Sequence, residues 1–198
     1  MADARFTGQI AGLGTTSGVR VVVGMWHDSP LGNFGDVMVQ EANGHRVLLA
    51  PSEAVAEFVE ATYTFDELCI GPVHVSGDST RRVVVAPGLE LTFSMGRRSP
   101  VGLLLAALPL RLSIWPVWLV AINPVARVLM SGVRTAGSAK QGRREFYGAY
   151  DVHTVTGAGG IWRGQPLGEL APVEPPVTFG FGSTPRAPAV TSLVTTIR

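Results

Sequence analysis

The densest chemistry in the sequence lies in one window, Arg143-Arg144-Glu145-Phe146-Tyr147-Gly148-Ala149-Tyr150-Asp151-Val152-His153. It holds guanidinium groups, carboxyls, phenols and an imidazole within three turns' length of chain. Side chains alternate along an extended strand, which places Glu145, Tyr147, Ala149, Asp151 and His153 on one face. If that face lines a barrel interior, Glu145, Tyr147, Asp151 and His153 converge as general acids and bases or orient a polar ligand. Arg143 and Arg144 beside them would hold an anionic group. The alternative is a solvated outer face crossed by ion pairs, with Gly148 as a bulge that breaks the alternation.

A second constellation is built from arginine. Arg82 to Ala86 and Leu89 to Met95 form a hairpin turning at Pro87-Gly88, which gathers Arg81, Arg82, Arg97 and Arg98 at its open end. Ser99-Pro100 then has the form of an N-cap followed by proline at the first helical position. Helix N–H groups beside guanidinium groups favour an anion, and Arg97 and Arg98 are the ligand-binding residues this predicts. Ordinary solvated arginine is the competing reading.

Other motifs fail. Gly12 to Gly18 lacks the third glycine of a dinucleotide fingerprint, where Ser17 stands, and valine-rich strand follows instead of helix. No Gly-x-Ser-x-Gly elbow occurs. His27, His45, His74 and His153 show no metal-ligand spacing, and Cys69 is the sole cysteine, so neither a metal nor another cofactor is expected. Arginine outnumbers lysine 15 to one, as codon bias in a GC-rich genome produces. Imine chemistry would have to use Lys140, which sits in a polar, turn-like stretch and is expected to be exposed and unreactive.

The elements that must position these residues are mostly strands. Val19, Val21, Val23 and Met25 alternate with their neighbours, as do Leu89, Leu91, Phe93 and Met95. Asp36 to Glu41 and His45 to Leu49 flank Asn43-Gly44, a hairpin signal. Ser52 caps a helix whose Val55, Phe58, Val59 and Thr62 share one face. Leu68 to Val75, Glu145 to Thr156, Gly160 to Leu170 and Thr191 to Ile197 read as further strands. Between Pro100 and Met130, Ser99-Pro100 opens one short helix and Asn123-Pro124 another, with Ile114 to Ile122 either a buried strand or a helical turn. The prediction is a mainly β (α+β) fold: an antiparallel β-barrel or sandwich with a few short helices, in one domain spanning 1–198.

Composition narrows the function classes. The 198 residues are 46% hydrophobic and 16% charged, with a net charge of +1. Disorder is excluded by the apolar content, and nothing global draws the chain to nucleic acid. A lone cysteine and an N-terminus without a basic and apolar leader point to the cytoplasm. The apolar 100–130 stretch is interrupted by Arg111, Arg127 and three prolines, which argues against a spanning helix. It is core, a pocket wall, or an exposed surface for a membrane or a second copy.

Gly32-Asn33-Phe34-Gly35-Asp36 resembles the Gly-x-aromatic-x-acid turn and strand of acetoacetate-decarboxylase-like proteins. The order that follows is similar too: a strand (Val47 to Ala50), a helix (Ser52 to Ala61) and an aromatic segment, Tyr63-Thr64-Phe65. The resemblance covers about Ser29 to Glu67. It implies an antiparallel barrel around a small pocket, with Phe34 and Asp36 among the ligand-binding residues. Asp66-Glu67 stand where the family carries its Schiff-base lysine, which argues against decarboxylation through an imine. The C-terminal half resembles bacterial proteins of unassigned activity and implies none. The expected function is a barrel that binds a small, partly apolar, anionic or amphiphilic molecule, with or without a non-imine reaction. The alternative is a peripheral membrane or protein-interaction module, a homodimer among them, that uses the 100–130 segment.

Overall fold

The alternating segments pair into one continuous sheet. The structure, a computed structural model, describes residues 3–129, 135–138, 144–180 and 184–198, so Lys140 and Arg143 lie outside it. Strands β1 (Ala4–Thr15), β2 (Arg20–Asp28), β3 (Phe34–Gln40) and β4 (Arg46–Ala50) form an antiparallel meander. Helix α1 (Glu53–Glu60) follows, with the Ser52 side chain accepting from the Val55 N–H at its N-cap. It crosses over to β5 (Glu67–Ile70), which therefore runs parallel to β4. Next come β6 (His74–Gly77), β7 (Arg81–Ala86) and β8 (Leu89–Arg98). Helices α2 (Pro100–Ala106), α3 (Leu110–Ser113) and α4 (Pro116–Leu129) precede β9 (Ala136–Ser138) and the long β10 (Arg144–Trp162). The chain ends with two-residue strands β11 (Gln165–Pro166) and β12 (Leu170–Ala171), and β13 (Ala189–Ile197).

The pairing order is β5-β4-β3-β2-β1-β13-β10-β8-β7-β6, antiparallel everywhere except at β4 and β5. The two ends of that order, β5 and β6, are consecutive in sequence and joined only by residues 71–73. So short a link requires the sheet to curl until its edges meet, which gives the barrel form. The apolar cluster inside the curl confirms it. Val37, Val39, Val47 and Leu49 from one end of the order share a core with Val84, Leu89, Leu91 and Phe93 from the other. The interior is thus filled with aliphatic and aromatic side chains.

Two local expectations are corrected. Leu68 to Val75 is two strands, because Pro72 has no N–H to continue a ladder and Gly71 packs against Pro87. The segment 116–129 is one helix running through Pro124. Asn123, expected to cap a new helix there, instead accepts from the Thr135 backbone N–H at 3.0 Å. The twelve-residue β1 contains Gly12 and Gly14, and its alternation is blurred by Gly8, Gly12 and Gly14 lying against neighbouring backbone or side chains.

The outward face of β1–β4 is covered as well. Helix α1 buries Val55, Ala56 and Val59 against Leu48 and Ala50. Residues 173–179 pack Val173, Val177 and Phe179 over Val22. Gln40 fixes this segment by donating to Thr178 Oγ1 at 2.9 Å and accepting from the Thr178 N–H at 2.8 Å. The buried Arg20 adds bonds to the carbonyls of Pro175 and Glu41, at 3.1 and 2.7 Å.

Candidate functional site

Beneath that cover a cavity of about 180 Å³ remains on the outer face of the sheet, bounded by α1, α2, Val177 and Phe179, and Thr184 and Pro185. Its walls are chiefly apolar. Phe6, Trp26, Phe34 and Phe58 form an aromatic cluster with ring centroids 4.8 to 6.5 Å apart. Alternate residues of β13 supply another side, from Ala189 and Thr191 to Leu193, Thr195 and Ile197.

Two carboxyls enter this apolar space. Glu145 is 1% exposed and Asp36 also 1%. Burial pushes the Glu145 carboxyl up to about 7, and hydrogen bonding from Tyr63 and Tyr147 pulls it only partway back. The Tyr63 hydroxyl donates to Glu145 Oε1 at 2.8 Å and forms a second hydrogen bond with the Tyr147 hydroxyl. Both phenols are held well above their ordinary value, first by desolvation and then by the neighbouring carboxylate. Burial likewise pushes Asp36 up to about 6, against a 2.8 Å bond from the Trp26 indole N–H. Gly24, opposite Asp36 on β2, makes room for that bond: a Cβ there would overlap Asp36 Oδ1 and Trp26 Nε1.

Several lining groups have no hydrogen-bond partner among the described residues: Glu145 Oε2, Thr184 Oγ1 and Thr195 Oγ1. Buried polar atoms are almost always satisfied, so three unsatisfied ones on one cavity indicate something that fills it. No basic side chain belongs to the described lining.

The catalytic window predicted from sequence divides here. Glu145, Tyr147 and Ala149 share the cavity face, as alternation requires. The extra residue then comes at Tyr150, where Ala149 pairs with Leu193 but Asp151 with Ser192. This bulge shifts the inward position to Val152 and turns Asp151 and His153 away. Asp151 accepts both Arg98 Nε and Nη2 at 2.9 Å. Burial alone would raise its carboxyl, but Arg98 overrides that and holds it below its ordinary value. His153 lies 3.4 Å from the same carboxylate and its Nδ1 faces the Gly96 carbonyl at 3.2 Å. Gly148 is no bulge; it lies in regular register, tight against Ser113 and Ile114.

The predicted ligand-binding residues divide as well. Phe34 and Asp36 line the cavity. Arg97, Arg98 and Arg144 are exposed and do not, and Arg143 lies outside the described residues. Arg144 instead stacks over Phe146 at 5.6 Å. The β7–β8 hairpin forms as expected, Ala86 opposite Leu89, but β7 ends opposite Ser94. On its other edge β8 pairs with β10 along its whole length, from Leu89 opposite Trp162 to Arg98 opposite His153, which brings Asp151 to Arg98. Nor does the predicted barrel interior hold the site: it is filled, and the polar groups lie on the opposite face.

Sequence reasoning passed over Trp26, Tyr63 and Thr195. Tyr63 stood in the aromatic segment after the Ser52 helix, and Thr195 followed from the alternation of β13. No sequence signal joined them to Glu145, which is 82 residues from Tyr63 and 50 from Thr195.

No family model matches the chain, and no curated protein matches it in sequence. Among solved structures it is similar to the crystal structure of acetoacetate decarboxylase from Legionella pneumophila, at 9% identity and a TM-score of 0.47, over 99% of this chain and 84% of that one.

Proposed function

We propose that the cavity binds one small, largely apolar molecule through a hydrogen-bond-donating head group set against Glu145. The observation that carries this reading is Glu145 Oε2, a buried carboxyl oxygen without a partner among the described residues, on a cavity of aromatic and aliphatic walls. A cavity of about 180 Å³ suits a single six-membered ring with one substituent, since a cavity of roughly 150 Å³ holds benzene. Two carboxyls without a basic residue in the described lining favour an amine or an alcohol over the anionic molecule expected from sequence. Thr195 and Thr184 supply further hydroxyls for the same head group.

The chemistry available is proton exchange. A carboxyl set at about 7 is half ionised near neutrality, where a general acid or base works best. Glu145 is the group placed to give or take a proton, and Tyr63 orients it by donating to its other oxygen.

A matched series tests the reading by calorimetry at neutral pH: cyclohexylamine, cyclohexanol and cyclohexanecarboxylate share a ring and differ in the head. The amine and the alcohol are expected to bind, and the carboxylate to bind at least tenfold more weakly. Glu145→Gln should weaken the amine most, because it removes the counter-charge. Tightest binding by the carboxylate, or none by any of the three, would overturn it.

A further inference from the structure

The cavity uses only one side of α2. Leu105 lines it, while Leu103 and Leu104 point outward, 60% and 61% exposed. Leu110, Trp115, Val117 and Val120 continue the exposed apolar surface along α3 and α4. All three helices pack on β10, so these exposed side chains lie on consecutive helices along one strand. Large aliphatic and aromatic side chains grouped in this way mark a docking surface.

Charge says what docks. Residues 91–144 contain eight of the sixteen basic residues and none of the fifteen acidic ones. The rest of the chain is therefore acidic, and the near-zero net charge conceals a basic segment, of which the side chains of Arg97, Arg98, Arg111 and Arg144 are described. Arg97, Arg111 and Arg144 are exposed in this segment; Arg98 is matched by Asp151. A symmetric pairing of this face with itself would set the basic segment against its own copy. A surface of negative charge over an apolar layer matches both properties at once. Among the described residues no helix is long and apolar enough to cross a bilayer, so the contact is with its surface.

We propose that α2–α4 form a foot that seats on a bilayer containing anionic phospholipid. Leu103, Leu104, Leu110 and Trp115 enter the boundary between headgroups and acyl chains, and Arg97 and Arg111 meet the phosphates. The apolar contact supplies depth and the arginines supply selectivity for negative lipid, which salt then screens.

Vesicle flotation of the full chain tests this. Vesicles of phosphatidylcholine alone are compared with vesicles containing about 30% phosphatidylglycerol, at about 50 and about 500 mM salt. Strong binding is expected only to the anionic vesicles at low salt, with at least a tenfold loss at high salt. Each arginine near the surface contributes on the order of fivefold, so the R97E/R111E double variant should lose more than about 20-fold. L103E/L104E should lose binding by at least tenfold and abolish the blue shift of Trp115 emission. All four positions are exposed, and an unchanged melting temperature shows that each variant is folded; should the leucine pair unfold, the arginine pair still decides. No binding to anionic vesicles at low salt, or binding that both variants leave intact, would overturn the proposal. So would a dimer in sedimentation that L103E/L104E dissociates, which would assign the face to a second copy.

Discussion

Replacing Glu145 by glutamine should change how stability depends on pH. Burial raises this carboxyl from 4.5 to about 7, so the folded protein holds its proton more tightly than the unfolded chain does. Between those values the unfolded chain binds fewer protons than the folded one, and stability falls as pH rises. Below 4.5 the group is neutral in both states and costs nothing; above about 7 the full penalty is present. At 1.36 kcal/mol per pH unit the penalty is roughly 3 kcal/mol. Glutamine never ionises, and its oxygen still accepts from Tyr63. The stability of Glu145→Gln relative to the native protein should therefore rise by roughly 3 kcal/mol from pH 4.5 to 8, whatever constant offset the new amide introduces. Asp36 acts in the same direction in both proteins and cancels. Urea unfolding followed by circular dichroism at each pH supplies the two curves. Curves that stay parallel between pH 5 and 8 to within about 0.5 kcal/mol would refute the assignment of Glu145 as a buried, neutral-range acid.

Three further outcomes follow from the geometry. Gly24→Ala should cost about 1–3 kcal/mol and shift Trp26 emission, because the added methyl breaks the indole–Asp36 bond; urea unfolding and fluorescence read both. Tyr63→Phe removes the donor to Glu145 Oε1 and should raise that carboxyl further above neutrality, which a carbon-13 carboxyl titration detects. Arg98→Ala breaks a partly exposed ion pair and should cost no more than about 1 kcal/mol, with cyclohexylamine binding unchanged, since the pair lies away from the cavity.

Local pattern was legible in the sequence wherever one chain segment determined it. The Asn43-Gly44 turn, the Ser52 and Ser99 caps and the Pro87-Gly88 hairpin all depend on neighbours within a few residues, and all form. Two local signals misled, the Asn123-Pro124 helix start and the single strand over Leu68 to Val75, and the other failures depended on distant pairing. The bulge at Tyr150 is set by the register between β10 and β13, and nothing within the 143–153 window locates it. That single residue separates Glu145 and Tyr147 from Asp151 and His153. The ion pair of Arg98 was hidden because its partner, Asp151, lies 53 positions along the chain. The side of the sheet that carries the site was equally hidden. Both faces of β1–β4 are buried, one by the curled sheet and the other by α1 and residues 173–179, and alternation alone does not distinguish them.

The central claim is that Glu145 is a proton-exchanging group facing a ligand cavity. Carbon-13 observation of its carboxyl across pH 4 to 9, with and without cyclohexylamine, tests it most directly. The free protein should titrate near 7, and the bound ammonium should stabilise the carboxylate and move the midpoint to lower pH. A midpoint near the ordinary 4.5, unmoved by the amine, would contradict the account.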